Sequence, residues 1–105
     1  MRNMMKKARE MQEKMQQIQE EIAKLQAIGT AGGGLVNITL NGRNIMTAMQ
    51  IDPSLLTPEE AEMLEDLIMA AYNDARAKLE VAIEEKTKGI AAGISLPSSF
   101  KLPLS

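Results

Sequence analysis

The stretch Gly32 to Leu56, GGGLVNITLNGRNIMTAMQIDPSLL, limits the fold more than any other part of the chain. Val36, Ile38 and Leu40 alternate with Leu35, Asn37 and Thr39, the period of two that a half-buried strand requires. Asn41-Gly42 is a hairpin signal, able to supply positive φ angles. Beyond it Ile45, Thr47, Met49 and Ile51 alternate with Met46, Ala48 and Gln50. A two-residue loop sets Ile38 opposite Ile45 and Val36 opposite Thr47. A four-residue loop sets Ile38 opposite Thr47. In both registers the same two sets share a face, because only an odd shift moves one set to the other side. The stretch therefore predicts a hairpin with one apolar and one mixed face.

Helical patterns flank the hairpin. Residues 1–26, MRNMMKKAREMQEKMQQIQEEIAKLQ, contain no Gly or Pro. Met4, Ala8, Met11, Met15, Ile18, Ile22 and Leu25 are spaced by alternating fours and threes, a coiled-coil-like seam for packing along another helix. Glu10–Lys14 and Glu20–Lys24 are expected i,i+4 ion pairs. Ala27 to Gly34, AIGTAGGG, breaks the helix, with Gly29 as a stop and Gly32–Gly34 as a turn. This glycine run lacks the Lys-Ser/Thr ending of a phosphate loop and precedes a strand, so a turn is the better reading. Asp52-Pro53-Ser54 ends the hairpin. Thr57-Pro58-Glu59-Glu60 then reads as a helix start, with Thr57 as N-cap and Glu60 closing a capping box. The second helix is predicted over 57–88, with Gly89 as its stop. Its buried stripe is Leu64, Leu67, Ile68, Ala71, Ala75, Leu79, Ala82 and Ile83, and Tyr72 belongs with that core. Residues 89–105 read as an extended tail, free or pinned by Leu96, Phe100 and Leu102.

The expected class is α+β, a single domain of 105 residues with a 27–52 sheet between the helices. The core must be aliphatic, because only 2% of residues are aromatic while Met numbers nine. A 57–88 helix would span roughly 48 Å, whereas a compact domain of this size has a radius of gyration near 13 Å. A dimer with protruding helical arms resolves that overshoot.

These pieces together resemble the YbaB/EbfC family of bacterial nucleoid-associated, DNA-binding proteins. The resemblance is carried by MKKAREMQEKMQQIQEEIAKLQ, GGGLVNITLNGR, IDPSLL, EMLEDLIMAAYNDARAKLE and the tail pattern GISLPSSFKLP, which cover nearly the whole chain. It implies an α–β–β–β–α protomer, with Ala27 to Ala31 as the first strand. It also implies a tweezer-like homodimer in the cytoplasm and on the nucleoid, binding double-stranded DNA, altering its conformation and influencing gene expression.

Arg2, Lys6, Lys7 and Arg9 crowd one helix end and are the first candidates for DNA contact. Lys14, Arg76, Lys78, Lys86 and Lys88 form a second group, diluted by neighbouring Glu residues. The plain alternative is that all are solvated helix faces, and Lys24 and Arg43 are typical of that class. Cations of this kind neutralise phosphates and give affinity with little base preference. With a net charge of −2, any attraction to DNA has to be local. Helix–hairpin–helix order with Met-rich arms is also similar to the prefoldin β-type subunit, which makes a chaperone-like scaffold the competing reading, although the first helix is short for such arms. An enzyme is not expected: without His or Cys the usual base, nucleophile and soft metal ligands are missing. No metal site, cofactor or small-molecule substrate is expected. Neither is a disulfide, a membrane span or a secretory signal.

Overall fold

The computed structural model describes residues 2–94, with side chains over 3–89. Helix α1 (Arg2–Ala23) leads into strands β1 (Gln26–Ala31), β2 (Val36–Asn41) and β3 (Met46–Ile51). Two 3-10 turns, Pro53–Leu55 and Pro58–Glu60, precede helix α2 (Ala61–Ile94). The strands form one antiparallel sheet in the order β1-β2-β3, so the α+β class read from the sequence is the observed one.

Everything is built on the middle strand. Val36, Ile38 and Leu40 are 0% exposed. Burying each contributes roughly 1.5–3 kcal/mol, more than an exposed ion pair supplies. Their β1 neighbours are Ala31, Gly29 and Ala27. These are small residues, and α2 lies down on them through Ala71, Ala75 and Leu79. At Gly29 the approach is backbone to backbone: a Cβ there would collide with the Ala71 carbonyl and the Ala75 N–H group. Gly29 thus sits inside β1 as a packing glycine and does not stop a helix. The stripe Leu64, Leu67, Ile68, Ala71, Ala75, Leu79, Ala82 and Ile83 is buried or half-buried, with half-buried Tyr72 beside it.

The turns differ in how far the sequence disclosed them. Gly32, Gly33 and Gly34 all have positive φ (65°, 68° and 99°) and link β1 to β2, which only glycine does without strain. The β2–β3 turn matches neither expected loop length. Asn44, not Asn41-Gly42, takes the left-handed conformation, with φ 63°. The Asn44 N–H donates to the Asn41 carbonyl (2.9 Å), and the Asn41 side-chain oxygen accepts from the Arg43 and Ile45 N–H groups (2.9 and 3.1 Å). This is a type I-like turn followed by a left-handed residue, the common longer hairpin loop. It sets Ile38 opposite Met49 and Val36 opposite Ile51. A bulge between Thr39 and Leu40 then places Met46, not Thr47, beside Leu40. The bulge breaks the strict alternation expected for the second strand, and Ile45 is left 55% exposed. Gly42 is needed for another reason: a Cβ there would run into the carbonyl of Ile22 at the end of α1.

The helix limits also move. α1 stops at Ala23, because Gln26 already pairs with Asn41 in the sheet. The Glu10–Lys14 and Glu20–Lys24 pairs are not formed, and Lys24 meets Glu21 at 3.6 Å instead. Thr57 has the extended conformation of an N-cap but makes no side-chain capping bond, because a 3-10 turn intervenes and α2 proper begins at Ala61. At the other end α2 continues through Gly89 to Ile94. A helical Gly costs only about 1 kcal/mol, Ala91 and Ala92 favour the helix, and Lys86 is tied to Glu21 of α1. The extended tail is thereby corrected for 89–94, while 95–105 lies outside the described residues.

The result is long and thin, 70 × 21 × 16 Å with a radius of gyration of 19.1 Å. Of the α1 seam, Ile18 and Ile22 are buried, at 4% and 6% exposure, while Met4 stands at 76%. The outer half of α1 is an arm.

Candidate nucleic-acid interface

Packing divides the nine cations suggested by the sequence into two groups. Lys6, Lys7, Arg9 and Lys14 are exposed on the α1 arm and join no ion pair among the described residues. Arg2 is the first residue of that helix, and its side chain lies outside the described ones. Arg76, Lys78, Lys86 and Lys88 all have partners. Arg76 meets Glu80 at 3.8 Å, Lys78 meets Asp74 at 2.9 Å, Lys86 meets Glu21 at 3.6 Å and Lys88 meets Glu84 at 3.4 Å. A cation already facing a carboxylate gains less from a phosphate, so the structure brings the first group together and sets the second apart.

Lys78 also has a structural task that spacing alone did not reveal. Its ammonium donates to the Ile28 carbonyl (3.3 Å), and Asp74 accepts from the Thr30 N–H (3.0 Å). Two side chains of α2 thereby satisfy one outward N–H and one outward carbonyl of β1 and partly cover that sheet edge. The Lys78 ammonium, with the Thr30 N–H, holds the Asp74 carboxyl below the usual carboxylate range. A carboxyl depressed in the folded state stabilises it above the unfolded value of about 3.9, and that contribution is lost as pH falls through the folded value. Asp74→Asn is therefore expected to flatten the acid limb of stability, read as urea midpoints from about pH 6 down to about pH 2. A variant whose midpoints track the parent's at every pH would discard the clasp. Asp52 is lowered as well, by the Ser54 hydroxyl and N–H, and serves as the control.

Charge is segregated along the long axis. Glu59, Glu60, Glu62, Glu65 and Asp66 crowd the start of α2. From there α2 passes the Gly32 turn at Leu67, Gly29 at Ala71 and Ala75, and Glu21 of α1 at Lys86. That run is roughly 38 Å, and α1 continues another ~22 Å from Glu21 out to Lys6. The acidic end and the basic arm are thus several Debye lengths apart, about 8 Å each at physiological salt. The net charge of −2 is a sum over two opposite ends, and the arm presents a positive surface of its own.

Two features of this surface escaped the sequence reading. One is the cross-helix pair Lys86–Glu21, which needs the fold to bring distant residues together. The other is the uncharged side of the arm, formed by Met11, Gln12, Met15, Gln16 and Gln19 on one face of α1. Its signal was present as glutamines at helical spacing beside the methionine seam.

A family model described as the YbaB/EbfC DNA-binding family matches residues 1–94. The chain belongs to the YbaB/EbfC DNA-binding family. Within it, the nucleoid-associated protein of Bartonella tribocorum is 75% identical over 103 residues, covering 98% of this chain and 96% of the relative. That of Bartonella quintana is 70% identical over 105 residues, covering 100% and 97%. That of Brucella anthropi is 55% identical over 103 residues, covering 98% and 96%. Among solved structures, an uncharacterized protein of Helicobacter pylori superposes with a TM-score of 0.64 at 29% identity, over 85% of this chain and 89% of that one. YbaB/EbfC proteins are a bacterial DNA-binding family and not an enzyme family. In this member, no helix among the described residues is long and apolar enough to cross a membrane.

Proposed function

We propose that the chain works as a homodimer on the bacterial nucleoid, in the cytoplasm. There it grips double-stranded DNA through phosphate contacts from Arg2, Lys6, Lys7 and Arg9, with Lys14 behind them. The grip alters the path of the duplex, and through it nucleoid organisation and gene expression. Arg76, Lys78, Lys86 and Lys88 already face carboxylates and contribute little to DNA. The observation that carries this reading is the basic arm, whose Lys6, Lys7, Arg9 and Lys14 join no ion pair among the described residues and lie far from the acidic end of α2. Membership of a DNA-binding family and the names of the nucleoid-associated relatives support it.

Pairing is supported by the sheet. The β1 edge is partly covered by Asp74 and Lys78 of α2, whereas β3 is an outer strand with Met46 and Met49 each 40% exposed. An open edge of this kind accepts another strand or a covering surface. A pair joined there presents two basic arms to one duplex. Counterion release then sets the test: log affinity for a random-sequence duplex should fall linearly with log salt, with a slope near −0.9 for each phosphate contacted. Affinity that stays constant from low to moderate salt would rule out the phosphate grip.

A further inference from the structure

We propose that the α1 arm reads base edges in the major groove of DNA, with Gln12 and Gln16 as the reading side chains and adenine as the base they favour. This rests on the arm gripping a duplex, and it adds a sequence preference to that grip.

Helix rotation sorts the side chains of the arm. At about 100° per residue, Met5, Ala8, Arg9, Gln12 and Gln16 fall within one sector of roughly 100°, from which Glu10 and Glu13 are both excluded. A surface free of carboxylates can enter a groove walled by phosphates without repulsion. Each of the five is exposed, and Arg9, at the border of the sector, joins no ion pair among the described residues. None of the side-chain hydrogen bonds among the described residues uses the Gln12 or Gln16 amide. Met4 and Met5 stand at 76% and 66% exposure, so the outer half of the helix is open to a large partner. A helix with its side chains is about 10–12 Å across, and the major groove is about 12 Å wide.

The amides supply what the cations cannot. Lys and Arg on phosphates fix position but carry no sequence information. A glutamine amide accepts at its carbonyl and donates from its NH2 group. Those two atoms match N7 and the N6 amino group of adenine, a pairing that only the major-groove edge offers. Gln12 and Gln16 are separated by about 6 Å along the helix, near two steps of stacked bases at about 3.4 Å each. Between them in rotation lies Met5, an apolar side chain suited to the thymine methyl of the same A·T pair.

The test is selection of bound duplexes from a random-sequence library by the full-length protein, beside the variant Gln12→Ala/Gln16→Ala. Alanine keeps the helix and changes no charge, so the variant should retain the salt slope of the parent. The parent should enrich a short site containing adenine, and the variant should lose about tenfold in discrimination for each amide removed. Replacing those adenines by 7-deazaadenine, which lacks N7, should weaken the parent and leave the variant unchanged. A parent that binds with its salt slope but enriches no sequence would overturn base reading and leave the phosphate grip standing. So would a preference that survives in the variant, or one indifferent to 7-deazaadenine. A parent that binds no duplex at any salt would remove the grip itself and the reading with it.

Discussion

Duplex DNA should be retained about a thousandfold less tightly by the variant in which Arg2, Lys6, Lys7 and Arg9 are all glutamine. The four residues occur twice in a dimer. If each contributes roughly 0.5 kcal/mol, the value of an exposed ion pair, the sum is about 4 kcal/mol, close to three decades of affinity. The salt slope should flatten in the same variant, by about 0.9 for every phosphate contact removed. Exchanging Arg76, Lys78, Lys86 and Lys88 for glutamine is the matched control, since each of these already faces a carboxylate. That control should lose far less affinity. The decisive measurement is a fluorescence-anisotropy titration of both variants at several salt concentrations. Equal losses would put the grip on the body of the protein, and an intact quadruple arm variant would remove the arm from the mechanism.

Gly29→Val is expected to cost on the order of 4 kcal/mol, beyond the ~1–3 kcal/mol of ordinary overpacking. The usual remedy for a larger side chain is a change of rotamer in its neighbours. Here the neighbours are the Ala71 carbonyl and the Ala75 N–H group, both backbone of α2. The helix would have to lift from β1, uncovering Val36, Ile38 and Leu40, which are 0% exposed in the native packing. Against a total of about 5–15 kcal/mol for a domain, that is a large fraction of the stability. Chemical denaturation followed by circular dichroism reads it directly. A midpoint equal to the parent's would show that the contact yields easily, and the account of the core would be wrong.

How much of this was readable from residue order varied with the range of the physics involved. The alternation of Val36, Ile38 and Leu40 disclosed the central strand, and the helical spacing of Leu64, Leu67, Ile68, Ala71, Ala75 and Leu79 disclosed the buried stripe of α2. Those signals are local and periodic. The hairpin register was not readable, because it depends on Asn41 using its side chain to cap a longer loop and on a bulge near Leu40. Neither leaves a mark on a two-residue period. The continuation of α2 past Gly89 was missed because a single glycine was weighed without the neighbouring alanines or the Lys86–Glu21 pair. For the candidate interface, clustering pointed to Arg2, Lys6, Lys7 and Arg9. The partners of the other four cations depended on knowing which carboxylates the fold and the helix rotamers bring near. Lys86 is the clearest case, since its carboxylate lies on the other helix.

The separation of anions at one end of α2 from cations on the α1 arm carries a consequence for how the molecule travels. A rod with opposite poles turns in the field of a polyanion before the two surfaces meet, so encounters begin arm-first and unproductive orientations are repelled. In thin electrolyte the same polarity sets the acidic pole of one molecule toward the basic arm of another, and DNA then competes with that self-attraction.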